Sequence, residues 1–288
     1  MTRQTLAVEY AGSSAPAAET AVFLHGLGGW THNWAALIDL MRTSTHCLAI
    51  DLPGFGRSEP PPDGRLTVEG LAAAVVAHLE RTGHHRVHLV GNSLGSLVAL
   101  RIAAQHPDLV STLTLIAPVL PARPSAQALR VALLGLPGAA RLYARHLASR
   151  DPDRQLDDLY RLIYANPALA GPEQRAVEAR ERQRRSELPY ASQMLAEGVR
   201  ALLRTYLHRG PESPWHQARR VTAPTLLVYG RSDRLAPLRT AAHTYAAFPN
   251  PRLLTLPTTA HVPMQETPTP VAQSLKTLIK EATTTQPT

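Results

Sequence analysis

The chain carries a single cysteine in 288 residues. One thiol closes no intramolecular disulfide, and Cys47 sits inside the apolar run HCLAIDL, so it reads as a buried, inert side chain. Lysine is almost missing as well: of 30 basic residues only Lys276 and Lys280 are lysine, and the rest are arginine. No stretch approaches the roughly 18 uninterrupted apolar residues a membrane-crossing helix needs, so no membrane span is expected. The opening MTRQTLAVEY lacks the basic start, apolar run and small-residue cleavage site of a secretory signal, which sets the expectation of a soluble, cytoplasmic protein. Thirteen histidines show no paired spacing of the His-Glu-x-x-His kind, so no metal is expected. The net charge of +8 and isoelectric point near 10.1 raise a nucleic-acid partner, since clustered cations release phosphate counterions. Here the arginines are scattered, often beside acids, and no groove-reading motif accompanies them. A solvated arginine-rich surface and no nucleic-acid partner is the reading. EARERQRRSE (178–187), the densest charged stretch, mixes both signs and reads as an exposed helix face.

What is present is alternation. The runs TAVFLHG (20–26), HCLAIDLPG (46–54), RVHLVGN (86–92), STLTLIAP (111–118), APTLLVYG (223–230) and PRLLTLP (251–257) read as buried strands, each bounded by turn residues. Amphipathic windows at 67–83, 94–107 and 238–248 lie between several of them. Strands alternating with helices imply an α/β fold, a doubly wound and mostly parallel sheet covered on both faces, with QTLAVEYAG adding an antiparallel edge strand. Residues 120–217 break the pattern: they show helical spacing and prolines but no buried strand. The expected organisation is therefore a core from 1–119 and 218–288 with a helical cap inserted at 120–217. Segments 127–148, 157–171 and 191–207 carry apolar stripes that should bury against the core, closing a largely apolar pocket. The terminal EATTTQPT should be frayed.

One pentapeptide carries chemistry. Gly91-Asn92-Ser93-Leu94-Gly95 fits Gly-x-Ser-x-Gly and stands between a strand and a helix, where a serine occupies a strained turn at the carboxyl edge of a parallel sheet. A bare N-cap serine is the other reading of that position. A serine hydroxyl needs a base and a residue to orient it. His261, in the loop after the last strand, and Asp233, in VYGRSDRLAP after the preceding one, would give the chain order Ser, Asp, His. Asp51 is a rival carboxylate, but it precedes the serine in the chain.

Taken in order, FLHGLGGWTHNW (23–34), IDLPGFGRSEPP (50–61), VGNSLGSLVAL (90–100), VYGRSDRLAP (228–237) and AHVPMQETP (260–268) resemble the landmarks of the α/β-hydrolase superfamily over nearly the whole chain, residues 120–217 matching only as its variable cap. That resemblance implies Ser93 as nucleophile, Asp233 as acid and His261 as base, with an oxyanion hole made from the backbone N–H groups of Leu27 and Leu94. His25 would brace the first of those turns, Gly28 and Gly29 would let the loop approach a substrate, and Trp30 and Trp34 fit either pocket or core. A serine hydrolase cleaving a carboxylic ester or related acyl bond is the implied activity, on a small-molecule, largely apolar acyl substrate and without cofactor. A lactonase, a cofactorless perhydrolase, a carbon–carbon bond hydrolase, a non-hydrolytic cyclase or dehydratase, and a ligand receptor using the capped pocket share the scaffold. The carbon–carbon group typically has tryptophan after the catalytic histidine, and here that residue is Val262. The oligomeric state is not readable from the sequence.

Overall fold

The structure is a computed structural model describing residues 6–12 and 19–284. Seven strands form one sheet: β1 (Val8–Gly12), β2 (Thr20–Leu24), β3 (His46–Ile50), β4 (Val87–Asn92), β5 (Val110–Ile116), β6 (Thr225–Gly230) and β7 (Pro251–Leu256). Their order is β1-β3-β2-β4-β5-β6-β7. Only β1 is antiparallel, pairing with β3; the other five pairs are parallel, as the alternation of strand and helix patterns requires.

Twelve α-helices are described: α1 (Ala35–Met41), α2 (Val68–Arg81), α3 (Leu94–Gln105), α4 (Ala126–Ala132), α5 (Ala139–Ala148), α6 (Pro152–Ile163), α7 (Pro172–Ser186), α8 (Ala191–Leu207), α9 (Pro214–Arg220), α10 (Ala241–Ala247), α11 (Pro263–Glu266) and α12 (Pro268–Thr284). Strand side chains alternate between two cores. Val22, Leu24, Leu48, Ile50 and Leu89 meet α2, α3, α9 and α10 on one face. Ala21, Phe23, Cys47, Ala49 and Val90 meet α1 and α12 on the other. Because both faces are covered, the central strands β4, β5 and β6 are buried along their whole length.

The order of strands fixes where a site can be. From β2 the chain steps to β3 on one side, then crosses back to lay down β4 through β7 on the other. The connections leaving the adjacent strands β2 and β4 therefore run in opposite directions, which puts a topological switch point at their carboxyl ends. Leu27 follows β2 and Ser93 follows β4.

Three expectations need correcting. β7 is an edge strand rather than a buried one: Arg252, Leu253 and Thr255 are exposed, since β6 flanks it on one side only. The terminal helix runs to Thr284, through half of the segment read as frayed, because Val271, Leu275, Leu278 and Ile279 anchor it to the sheet; residues 285–288 lie outside the described residues. Finally, 127–148 is two helices. Leu136, ahead of Pro137, is extended (φ −67°, ψ 150°), and Gly138 follows at φ +76°. A proline disfavours helical backbone in its predecessor, and the left-handed glycine completes the break.

Between β5 and β6 the described chain is wholly helical or irregular. It has no apolar core of its own there. Met194 of α8 belongs to the first sheet core, and Leu156, Tyr160 and Tyr164 belong to the second.

Candidate active site

Ser93 sits at φ +54°, ψ −113° in the sharp turn from β4 into α3. The neighbouring glycines explain how the turn is tolerated. A Cβ on Gly91 would stand 2.3 Å from the Gly95 carbonyl oxygen, and one on Gly95 would stand 2.1 Å from that of Leu24. Any side chain at either place would therefore drive α3 off the sheet. The Ser93 amide is held by the Ile116 carbonyl at 3.0 Å, at the end of β5. The amide of Leu94, first in α3, has no carbonyl one turn back within the helix and lies at the positive end of its dipole.

His261 and Asp233 come from separate loops and meet. The Nδ1–H of His261 donates to Asp233 Oδ2 at 2.9 Å, with both side chains buried. The other carboxylate oxygen, Oδ1, accepts the amides of Leu235 at 2.7 Å and Ala236 at 2.9 Å. Asp233 is thus fixed by its own turn and presents one oxygen to the imidazole. The His261 loop is drawn towards the serine turn by Asn92, whose Nδ2 donates to the His261 carbonyl at 3.1 Å and to that of Ile116 at 3.2 Å. The residue before Ser93 thereby ties β4, β5 and the histidine loop together. In the sequence Asn92 occupies only the variable position of Gly-x-Ser-x-Gly, which gives no signal of this role.

Residues 26–29 form a tight turn closed by Gly29 N–H to Gly26 C=O at 3.0 Å, with Gly28 at φ +67°, a conformation that favours glycine. Leu27 is the second residue of this turn. Gly26 lies close enough to the serine turn that a Cβ on it would be 3.2 Å from Ser93 Cβ. Behind the turn His25 is fully buried: its Nε2 accepts the Leu52 amide at 3.0 Å, so its Nδ1 carries the proton given to the Gly26 carbonyl at 2.7 Å. Burial holds its pKa down to about 4, and a neutral ring is what this pair of bonds requires. His25 is a brace. Asp51, the rival carboxylate, is committed elsewhere, accepting the amides of Thr31 at 2.7 Å and Arg57 at 2.8 Å. Burial raises its pKa against those two bonds. Of the tryptophans, Trp34 is core, its ring 5.3 Å from that of Phe23, whereas Trp30 donates from Nε1 to Glu178 of α7 at 3.3 Å.

Helices α6, α7 and α8 close over these loops. On α8, a Cβ on Gly198 would fall 2.4 Å from Leu27 Cδ1, and Met194 packs where a side chain on Gly54 would be. From α7, Arg185 donates to the Gly28 carbonyl, and Arg184 donates to that of Gly56 at 2.5 Å. Both arginines pair with Glu181, which is buried. The charged stretch read as a solvated face therefore has an inward side, which mixed charge alone could not reveal. At the end of α6, the Ile163 carbonyl accepts the His261 amide at 2.9 Å. Glu266 bridges the same contact, one oxygen on the Ala260 amide and the other on the Ala165 amide, each at 2.7 Å, and burial raises its pKa. Ser93 is consequently only 7% exposed. Glu266 lies within AHVPMQETP, but nothing local in that stretch marks a bond to a residue 101 positions away.

The landmarks now stand at one sheet edge, and the model of the α/β-hydrolase fold family matches residues 21–268. The chain is a member of that family. It is 27% identical over 250 residues to the dihydrolipoyllysine-residue acetyltransferase component of the acetoin cleaving system of Cupriavidus necator, covering 86% of this chain and 60% of that longer protein. It is 26% identical over 251 residues to a 2-hydroxy-6-oxononadienedioate/2-hydroxy-6-oxononatrienedioate hydrolase of Cupriavidus pinatubonensis, covering 82% of this chain and 78% of the relative. Among solved structures it is similar to a membrane phospholipase A described as a bacterial virulence factor, at 26% identity and a TM-score of 0.75 over 96% of this chain and 83% of that one. This α/β hydrolase is accordingly an enzyme, and no helix among its described residues is long and apolar enough to cross a membrane.

Proposed function

We propose that this α/β hydrolase cleaves a carboxylic ester or closely related acyl bond, with Ser93 as nucleophile, His261 as base and Asp233 as the acid that orients it. The observation carrying this reading is the 2.9 Å bond from His261 Nδ1 to an Asp233 carboxylate whose other oxygen is occupied by two amides. With Nδ1 protonated, the neutral ring has its lone pair on Nε2, free to take a proton. In the proposed cycle Nε2 takes the Ser93 hydroxyl proton as Oγ bonds to the substrate carbonyl carbon. The oxygen of that carbonyl becomes an oxyanion, received by the Leu27 and Leu94 amides, each such donor being worth about 3 to 4 kcal/mol. Collapse breaks the bond to the leaving alkoxide, which takes the proton back from Nε2. Water, deprotonated by the same nitrogen, then cleaves the acyl-serine ester and restores Ser93.

In this reading residues 120–217 act as a cap selecting a small-molecule acyl substrate by shape and apolar contact. The similarity to a phospholipase A, whose name denotes ester cleavage, supports the acyl assignment. The similarity to a dienedioate hydrolase supports a second reading, carbon–carbon hydrolysis by the same residues, against which Val262 stands in place of that group's usual tryptophan. A fluorophosphonate probe followed by a panel of esters, lactones, thioesters and a 2-hydroxy-6-oxo-dienoate separates them. Wild-type protein is expected to be labelled at Ser93 and to turn over an ester fastest, and Ser93→Ala should lose both labelling and several orders of magnitude in kcat/KM while keeping its circular dichroism. Undiminished turnover in Ser93→Ala rules the nucleophile out; preference for the dienoate moves the assignment to the second reading.

A further inference from the structure

The first half of the helical insertion buries little of its apolar surface. No residue of α4 is buried, and Leu129, Leu133, Leu136, Leu142 and Tyr143 stand exposed on α4, α5 and the turn between them. Leu203 and Leu207 of α8 extend the patch: the turn rests on α8 at Gly135, where an added Cβ would touch Leu203, and Arg200 Nε donates to the Gly135 carbonyl at 2.7 Å. Seven of the eleven exposed large apolar side chains among the described residues fall in this one region. The apolar spacing that predicted burial against the core instead faces water.

Charge separates this region from the rest of the chain. From residue 109 to 150 there is no Asp or Glu, while Arg123, Arg130, Arg141, Arg145 and Arg150 supply five positive charges against a net +8 for the whole protein. Arg150 is paired with Asp158, but no described carboxylate pairs with Arg130, Arg141 or Arg145. The neighbouring Arg200 and Arg204 are both engaged by Glu197 and add little. Between Ala128 and Ala140 the only polar side chain is Arg130.

We infer that α4, the Leu133–Gly135 turn and α5 form a docking surface for an anionic lipid membrane, with the leucines entering the acyl boundary and Arg130, Arg141 and Arg145 meeting headgroup phosphates. A short amphipathic element with apolar residues on one side and unpaired cations beside them matches the chemistry of such an interface. A second copy of the chain fits poorly, because two such patches would face each other with charge of one sign. Nucleic acid would engage the arginines and leave the leucines in water. A soluble acidic protein would need hydrogen-bonding side chains across the contact, which the 128–140 stretch lacks apart from Arg130.

The test is co-sedimentation of the full chain with vesicles of phosphatidylcholine alone and of phosphatidylcholine mixed with phosphatidylglycerol, read without any turnover assay. Binding is expected only to the mixed vesicles and should weaken as salt is raised. The triple variants Leu133→Ser/Leu136→Ser/Leu142→Ser and Arg130→Gln/Arg141→Gln/Arg145→Gln should each lower the vesicle partition coefficient at least tenfold with unchanged circular dichroism. Leu253→Ser, on the exposed edge strand, should not. Loss in the arginine variant but not in the leucine variant would reduce the effect to general attraction of a cationic protein and overturn the inference. So would equal binding to neutral vesicles, absence of binding, or a wild-type dimer in light scattering that the leucine variant disperses, which would make a second copy the occupant.

Discussion

Asp233 and His25 show how a single side chain is committed by what surrounds it. Both oxygens of Asp233 are occupied, two amides on one and the imidazole on the other, so its carboxylate has one orientation available. His25 is the opposite case, an imidazole whose two nitrogens are satisfied only while the ring is neutral. Its pKa of about 4 in the fold lies below the ordinary 6.5. The unfolded chain therefore binds the extra proton first as pH falls, and stability present above pH 6.5 is lost between about 6.5 and about 4. For this fully buried ring the loss is on the order of 3 kcal/mol. His25→Gln removes the titration. Urea midpoints measured across that pH range should fall more steeply for the wild-type protein than for the variant, and parallel curves would show that His25 does not carry this proton linkage.

At the scale of the element, β4 and α3 work as one piece because two glycines let helix and strand touch. Gly95 is the tighter of the two: the atoms in its way are the backbone oxygens of Leu24 and His25 at 2.1 and 2.6 Å, which cannot rotate aside, against 2.3 Å for the nearest at Gly91. Gly95→Ala must move α3 or β2, and overpacking of this kind costs about 1 to 3 kcal/mol. Because the displaced pieces carry Leu94 and the Leu27 turn, ester turnover is expected to fall far more than stability. Gly83→Ala is the comparison: Gly83 has open space around it, though φ +76° imposes a strain of roughly 1 kcal/mol, and it precedes β4, at the end of that strand opposite Ser93. Thermal melts beside kcat/KM for both variants decide the matter. Equal activity losses at equal destabilisation would mean that the Gly95 contact is merely structural. The Gly-x-Ser-x-Gly spacing made this contact readable in advance, whereas the α4–α5 break depended on Leu136 and Pro137, a local signal outweighed in the sequence by helical periodicity across it.

For the molecule as a whole, the helical insertion shares its apolar contacts with the sheet. Met194 packs with the α2–α3 side and Tyr160 and Tyr164 with the α1–α12 side, while Glu266 joins the His261 loop to the segment after α6. A segment whose buried groups lie in two cores of another unit has little to fold around alone. Calorimetry should therefore record one transition with equal calorimetric and van't Hoff enthalpies, and a separate early transition would show that residues 120–217 unfold independently. What the sequence determined by itself was whatever has a short period or a local turn: the parallel sheet from strands of buried apolar runs, the serine turn from its flanking glycines, and the order of Ser93, Asp233 and His261 along the chain. The tertiary structure alone decided what arises between segments distant in sequence. It assigned Asn92 to the His261 loop, turned Glu181 inward, set Glu266 across 101 residues from Ala165, and left Leu129, Leu133, Leu136 and Leu142 in water. Periodicity reports that a helix has an apolar stripe. Which surface, if any, receives it depends on the packing of every other element, and no window of sequence contains that information.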